Sequence, residues 1–383
     1  KEEEELRSFT LNTVRGTVQA DQLKEAMGQN TLVFNLDTAL RMMGDVAEFY
    51  VNNEVRNHYF VSISGYHIDE AGANPITQAA LTLSNGLTYV ELFKARGLDP
   101  DKFLRNFSWF FSNGMDPEYA VIGRVSRRIW AIAMRDMYGV GDRGQKLKYH
   151  IQSSGRSLHS QEFTWNDYRT TLQALYALSD NANSLHTNSR DEAFGTPTED
   201  TVRDAVAIQL ILSKEYGWLR NENPLQGSFV AEFLTDEVED KVLSIFEEMH
   251  SRGGVLGALE VNYQRNRIQD EGMIYEHRKH TGETPIVGVN TFTDPESATP
   301  SADEFDIEVT RSDESEKMMV IERNRDFKTS HKDEAEAGLE KLKQAAREGG
   351  NLFEVMMEIV DHCSVGQVTQ ALFESGGKFR RNM

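Results

Sequence analysis

The sequence predicts an α/β fold, namely the carboxyl-terminal part (about strands 4–8) of a (β/α)8 TIM barrel followed by a mostly helical carboxyl-terminal extension. Strand-like and helix-like segments alternate through short connections, which is typical of a parallel sheet, either doubly wound or closed into a barrel. Central strands of an open parallel sheet are near-continuously apolar, whereas these strands carry polar residues at alternate positions. A barrel with a polar interior explains that alternation better. Since such a barrel needs eight units, about three would precede Lys1.

The first unit is a short strand followed by two helices. Residues 14–19 carry Thr17 and Gln19 at alternate positions, which predicts a strand with one polar face. A helix is expected over 21–29. Apolar residues recur every three or four positions over 36–51, and this spacing predicts an amphipathic helix.

The second unit has the most informative pattern. We expect a strand over 61–68 whose second face carries two serines and Tyr66, a face that fits an apolar core poorly. Asn74 followed by Pro75 has the form of a helix start, so a helix is predicted over 75–96.

Three more units follow in the same order. Strands are predicted at 107–111, 147–152 and 183–188. Helices are predicted at 117–138, 165–179 and 196–217, the last one opening on the capping-box spacing of Thr196-Pro-Thr-Glu199. The predicted domain organisation is therefore a barrel part at 1–217, a helical linker packed on the barrel at 218–293 with a strand-like run at 285–290, an acidic loop at 294–317, and a helical region at 318–383.

Composition and charge limit the classes of function. The net charge of −20 argues against a broad nucleic-acid or anionic-membrane surface. Cys363 is the only cysteine, which rules out an intrachain disulfide and fits a reducing cytoplasm. No apolar run approaches the roughly 20 residues that span a bilayer. The start at Lys1 rather than at methionine indicates part of a longer polypeptide.

Polar side chains collect at the predicted strand ends. His67, Gln152, His186, Asn188 and Glu192 all fall at or just after the carboxyl end of a strand, which is the active-site rim of a barrel. Any one of them alone would be read as a satisfied buried polar group. Together they form a mostly uncharged lining, which favours a polar uncharged ligand over metal hydrolysis or phosphate transfer, and no metal site is expected.

Several longer motifs resemble one family. They are Gly16-Thr-Val-Gln19, Ser62-Ile-Ser-Gly-Tyr-His-Ile-Asp-Glu-Ala-Gly-Ala73, Ser184-Leu-His-Thr-Asn-Ser-Arg-Asp-Glu-Ala193, Asn223-Pro-Leu-Gln-Gly-Ser228 and Ile286-Val-Gly-Val-Asn290. In these the chain resembles the acyl-CoA mutases that use adenosylcobalamin, over residues 10–290. The resemblance implies a barrel through which coenzyme A passes along the axis, with adenosylcobalamin at one face.

The resemblance also implies roles for individual residues. His67 would donate a hydrogen bond to the thioester oxygen, and Tyr66 would lie near the adenosyl group. Substrate contacts are implied for Thr17, Gln19, Gln29, Ser108, Arg105 and Gln152, and cofactor contacts for Asn183, Asn188 and Glu192. The family arginine next to the serine is Asn106 here, with Arg105 one position earlier, and the family glutamine near the cofactor is Asn183.

Gln29 is the residue that bears on the choice of substrate. In methylmalonyl-CoA mutases an arginine in its place pairs with the free carboxylate of the substrate. A carboxylate facing a neutral amide would stay unpaired, so the resemblance implies isobutyryl-CoA, interconverted with n-butyryl-CoA. Isovaleryl-CoA and pivalyl-CoA remain alternatives within the family, and a non-catalytic barrel scaffold is the alternative outside it.

The resemblance further implies partners. A cobalamin-binding domain would be supplied upstream in the same polypeptide or by a separate small subunit, since the chain lacks the D-x-H-x-x-G signature. Phe379-Arg-Arg-Asn-Met383 resembles the branch fused to a G-protein chaperone domain, for which alone GTP and Mg²⁺ are expected. A homodimer is also expected.

Overall fold

The computed structural model describes residues 2–295 and 311–380. Its strands are β1 (Gly16–Thr17), β2 (His58–Tyr59), β3 (Val61–Ser64), β4 (Phe107–Asn113), β5 (Tyr149–Ser153) and β6 (Ser184–His186). Its helices up to residue 210 are α1 (Glu2–Thr13), α2 (Gln22–Lys24), α3 (Leu36–Asn52), α4 (Tyr66–Glu70), α5 (Pro75–Ala95), α6 (Pro100–Phe103), α7 (Ile122–Asp136), α8 (Asn166–Ser179) and α9 (Glu199–Leu210). The later helices are α10 (Phe229–His250), α11 (Gly254–Glu260), α12 (Tyr263–Thr281), α13 (Glu314–Ser330), α14 (Lys332–Glu348), α15 (Leu352–Ile359) and α16 (Val365–Gly376). Two π-helical segments, Glu25–Gln29 and Ile211–Glu215, continue α2 and α9.

The described strands form two parallel sheets. β1 pairs with β2, and β3, β4, β5 and β6 pair in that order. In register, Ser62 lies beside Ser108, Phe110 beside His150, and His150 beside Ser184. The prediction of an α/β fold with parallel strands is thereby confirmed, while closure into an eight-stranded barrel stays a prediction. Within the described part of the chain, no helix is long and apolar enough to cross a membrane.

The core lies between the four-stranded sheet and its helices. α5 is buried along most of its length and packs against α7, α10 and β3. Phe60, Phe93 and Phe107 pack edge to face at centroid distances of 5.7 to 6.1 Å. Trp109 reaches Gly86 so closely that a Cβ there would lie 2.2 Å from the indole ring. The outward-facing apolar residues of the sheet are thus fixed against the helices, which leaves its other face for polar side chains.

The helical extension packs on α3. The buried residues Leu342, Leu352, Ile359 and Leu372 form a small core of their own, and Phe353 meets Phe49 edge to face at 5.1 Å. The helical region predicted at 318–383 corresponds, within the described residues, to most of α13 and to α14, α15 and α16. Residues 296–310, which hold most of the predicted acidic loop, and residues 381–383 lie outside the described residues.

Four local predictions were wrong. The strand predicted over 61–68 ends at Ser64, because the chain turns at Gly65 into α4, so Tyr66 and His67 are helical. The strand β2 was missed. The capping box of α9 joins Thr198 to Thr201 rather than Thr196 to Glu199. The run at 285–290, predicted to be strand-like, forms a turn in which the Val289 N–H donates to the Ile286 carbonyl at 3.1 Å.

Candidate active site

A cavity of about 580 Å³ lies on the polar face of the sheet. Ser62, Ser108, Phe110, His150 and Ser184 share this face, because side chains alternate along each strand and the four strands are in register. The full lining is Thr17, Gln19, Tyr59, Ser62, Ser108, Phe110, Lys148, Tyr149, His150, Asn183 and Ser184.

The polar lining is internally hydrogen-bonded. Ser108 Oγ donates to Ser62 Oγ at 3.3 Å, and His150 Nδ1 lies 2.8 Å from Ser184 Oγ. Lys148 brings a cation into the cavity, with its Nζ 6.0 Å from the centre of the Tyr59 ring. The lining therefore offers hydroxyl, amide and imidazole groups to a polar ligand and one ammonium group to an anionic one.

A second cluster of side chains follows at the carboxyl ends of the same strands. The Tyr66 ring stacks on Phe110 at 4.8 Å, with 6° between the planes, and His67 meets Phe110 edge-on at 5.9 Å. Since Phe110 also lines the cavity, it forms the boundary between the cavity and the Tyr66–His67 pair. A ligand extending from the cavity toward the strand ends would therefore pass Phe110 and reach both residues.

Gln152 links this cluster across three elements. Its Nε2 donates to Tyr66 Oη and to Asn188 Oδ1, both at 3.0 Å. Asn188 is wholly buried and donates from Nδ2 to the Ser153 carbonyl at 2.8 Å. Glu192 is exposed, and its charge acts on Tyr66, so it borders the same cluster. We call Tyr66, Gln152, Asn188 and Glu192 the rim cluster.

Burial sets the protonation states of the pair. Burial, and then the charge of Lys24, lowers the pKa of His67 to about 4, against a smaller opposing effect of Glu25. Burial, reinforced by Glu70 and Glu192, raises the pKa of Tyr66 well above its usual value. Near neutral pH the site therefore holds a neutral imidazole and a neutral phenol, both able to donate hydrogen bonds.

Gln29 belongs to the π-helical segment next to α4, the helix that carries this pair, and Gln29 itself is exposed. A Cβ on the preceding residue, Gly28, would be 3.5 Å from the His67 carbonyl oxygen, so the π-helical segment packs against α4. Gln29 Oε1 accepts a hydrogen bond from the buried Lys24 Nζ at 2.9 Å, and Lys24 Nζ also pairs with Glu25 at 2.5 Å. Because an ammonium group only donates, the amide oxygen faces Lys24 and the NH₂ group points elsewhere.

The structure brings most of the predicted site residues together in these two neighbouring places. Thr17, Gln19, Ser108 and Asn183 line the cavity. Asn183 was expected at the cofactor, yet it lies among the residues expected for substrate.

Arg105 is a predicted site residue that lies outside both places, as Gln29 does. It lines an outer pocket with Arg56 and Lys102. The neighbouring Asn106 is turned inward and donates to the carbonyls of Val55 and His58, so neither residue contributes to the cavity.

Sequence reasoning missed Tyr59, Phe110, Lys148 and His150. The alternation of side chains along β4 and β5 could have indicated Phe110 and His150, since each shares a face with a predicted residue. Tyr59 and Lys148 carry no such signal, because only the packing of neighbouring segments brings them to the cavity.

The fold and the site define an α/β protein with a ligand cavity on one polar face of a parallel sheet. More specifically, the chain belongs to the methylmalonyl-CoA mutase family, which it matches over residues 3–378. The expected resemblance is thereby confirmed.

The relatives of this chain include mutases that are named for different substrates. The chain is 60% identical to a fused isobutyryl-CoA mutase of Geobacillus kaustophilus over 100% of this chain and 35% of the relative. It is 59% identical to the fused isobutyryl-CoA mutase of Nocardia farcinica over 99% of the chain and 35% of the relative. It is 34% identical to the 2-hydroxyisobutanoyl-CoA mutase large subunit of Aquincola tertiaricarbonis, over 98% of this chain and 66% of the relative. The chain thus spans about a third of the length of the fused relatives.

Proposed function

We propose that this chain supplies the acyl-CoA-binding part of an adenosylcobalamin-dependent mutase that interconverts isobutyryl-CoA and n-butyryl-CoA. The observation that carries the proposal is the arrangement along the strands, in which one residue of the polar cavity's lining, Phe110, contacts both Tyr66 and the neutral His67. The names of the fused relatives support the same reaction.

The cavity suits the coenzyme A part of the substrate. Thr17, Gln19 and Ser108 offer hydrogen bonds to the amide-bearing pantetheine chain, and Lys148 offers a cation to its phosphates. In the proposed barrel, upstream strands would close this face. The pantetheine chain would then run along the barrel axis, and the acyl group would lie at the carboxyl ends of the strands.

His67 would act on the thioester. As a neutral donor it would bind the carbonyl oxygen and stabilise the charge that develops there while the carbonyl group migrates to the adjacent carbon. Tyr66 and Phe110, stacked on one another, would exclude water from that carbon.

The rim cluster fits the adenosyl half of adenosylcobalamin. Its amide and carboxylate groups are the donors and acceptors that ribose hydroxyls require, and Gln152 is already shared between Tyr66 and Asn188. When bound, the cofactor supplies the radical that removes and returns a hydrogen atom of the substrate. Asn188 and Glu192 would hold the ribose, with Asn183 nearer the substrate.

A cobalamin-binding domain and a G-protein domain, the latter with GTP and Mg²⁺, would come from the rest of the polypeptide, and a homodimer is proposed.

Gln29 would select an acyl group without a second carboxylate. Its amide is neutral, and the Lys24 charge behind it is already paired with Glu25. A dicarboxylic acyl group would therefore find no free cation from Lys24, whereas an aliphatic one needs none. Isovaleryl-CoA and pivalyl-CoA have the same chemistry and remain alternatives.

Replacement of His67 tests the proposal. In the full-length protein with adenosylcobalamin, we expect His67→Ala to lower the kcat for isobutyryl-CoA on the order of 10²-fold, as for other positioned donors. Gas chromatography of the released acids measures this turnover. An electron paramagnetic resonance signal that appears only on addition of substrate would separate a mutase from a non-catalytic scaffold, and unchanged turnover in the variant would remove His67 from the mechanism.

A further inference from the structure

Ser64 is the last residue of β3 and precedes His67 by one turn. Its side chain is wholly buried, with no exposed surface. Its Oγ lies 2.7 Å from His67 Nδ1, and its backbone N–H donates to Asp21 Oδ2 at 2.9 Å. Asp21 is itself buried and accepts from Tyr89 Oη at 2.7 Å. The backbone of Ser64 is thus held by the Asp21 carboxylate, and its hydroxyl contacts the His67 imidazole.

Only one assignment of hydrogens satisfies this contact. In the described part of the chain, His67 Nδ1 is the only hydrogen-bond partner of the Ser64 hydroxyl. If Nδ1 carried the hydrogen, the buried hydroxyl would have to accept and its own hydrogen would stay unpaired, which proteins avoid. If the hydroxyl donates instead, Nδ1 carries the lone pair and Nε2 carries the hydrogen.

The other ring nitrogen, Nε2, is the one that would be left to bind a substrate. Among the described residues, no hydrogen bond engages Nε2, and the ring is held edge-on by Tyr66 at 5.3 Å and by Phe110 at 5.9 Å. The low pKa of His67, about 4, means that the ring carries a single N–H hydrogen near neutral pH. A neutral imidazole carries its N–H on one nitrogen only. The tautomer therefore decides whether Nε2 can donate a hydrogen bond to a substrate carbonyl.

We propose that Ser64 is a positioning residue that holds His67 as the Nε2–H tautomer, so that His67 presents a donor to the thioester oxygen. This inference rests on the proposed function for its consequence, but the tautomer itself can be measured without substrate or cofactor. Ser62, the neighbouring serine of the same strand, contacts Ser108 and not His67, and therefore provides a matched control.

The test is nitrogen NMR of the full-length protein with ¹⁵N-labelled histidine, with His67 assigned by its loss in His67→Gln. We expect a pyridine-type Nδ1 and a pyrrole-type Nε2 in the wild type and in Ser62→Ala. Ser64→Ala should give a mixture of tautomers, with circular dichroism confirming that the variant is folded. A pyrrole-type Nδ1 in the wild type would overturn the proposal even if Ser64→Ala failed to fold, and so would an unchanged tautomer in a folded variant.

Kinetics of the holoenzyme give the second readout. We expect Ser64→Ala to lower kcat by about tenfold to a hundredfold with little change in KM, by analogy with the loss of the hydrogen-bond partner that orients a metal-ligating histidine. A change confined to KM would contradict a positioning role. If the wild type shows the Nε2–H tautomer but no mutase turnover, the proposed function fails and the assignment of the tautomer stands.

Discussion

At the scale of single residues, several side chains of the candidate site are held in place by buried neighbours. Ser64 contacts His67, Lys24 contacts Gln29, and Asn188 receives the hydrogen bond from Gln152. None of these contacts can be predicted from the spacing within a helix or strand, because each crosses from one element to the next. Ser64, one of the two serines on the polar face predicted for 61–68, is fully buried and contacts the histidine.

The role of Gln29 gives the first prediction at this scale. An arginine in its place would set a second cation beside the buried Lys24 and an unpaired guanidinium beside an aliphatic acyl group. We expect Gln29→Arg to lower kcat/KM for isobutyryl-CoA on the order of tenfold or more.

The matched control is Gln29→Met, which keeps the length and neutrality of the side chain and should cost much less in the same assay. Equal kinetics in the wild type and the arginine variant would mean that Gln29 does not lie beside the acyl group.

At the scale of elements, periodicity predicted the helices well and the strand ends poorly. Val61 and Ile63 follow the two-residue alternation of a strand, but Ile68 does not, and it is buried because α4 has already begun. The expected strand over 61–68 failed for that reason. Strand β2 has only two residues and is too short to show an alternating pattern in the sequence.

The turn at Gly65 makes this element boundary testable. Its N–H donates to the Phe110 carbonyl at 2.7 Å, and a Cβ on it would lie 2.5 Å from Thr82 Oγ1 and 2.8 Å from Gln78 Cγ on α5. We expect Gly65→Ala to push α5 away from the turn and to lower the free energy of unfolding by roughly 1–3 kcal/mol, as overpacking does.

Urea denaturation followed by circular dichroism measures this change. Gly195→Ala is the control, because no atom lies within 4 Å of a Cβ built there, and its effect should stay within about 0.5 kcal/mol. Similar stabilities for the two variants would show that the turn tolerates a side chain and that glycine is not required at the start of α4.

At the scale of the whole molecule, the sequence predicted the α/β class, the parallel strands and the carboxyl-terminal helices. How the extension attaches to the rest could not be predicted, since it depends on individual contacts, among them one buried carboxylate, and not on a periodic pattern. Asp45 of α3 is fully buried and accepts from the Leu352 N–H at 2.9 Å and from Arg96 Nη2 at 2.5 Å. It therefore joins the first residue of α15 and the end of α5 to the same point on α3.

Removal of that carboxylate should loosen the extension. In Asp45→Ala the buried Leu352 N–H loses its acceptor and Arg96 loses its closest partner, so we expect a loss of roughly 2 kcal/mol in stability. Cleavage within 311–380 during limited proteolysis should also be faster. Glu48→Ala is the matched control, because Glu48 meets the same Arg96 at 3.5 Å and Asn351 Nδ2 at 3.4 Å but is 39% exposed, and such exposed contacts contribute about 0–1 kcal/mol. Equal proteolysis in both variants would mean that apolar contacts such as Phe49 with Phe353 hold the extension without help from Asp45.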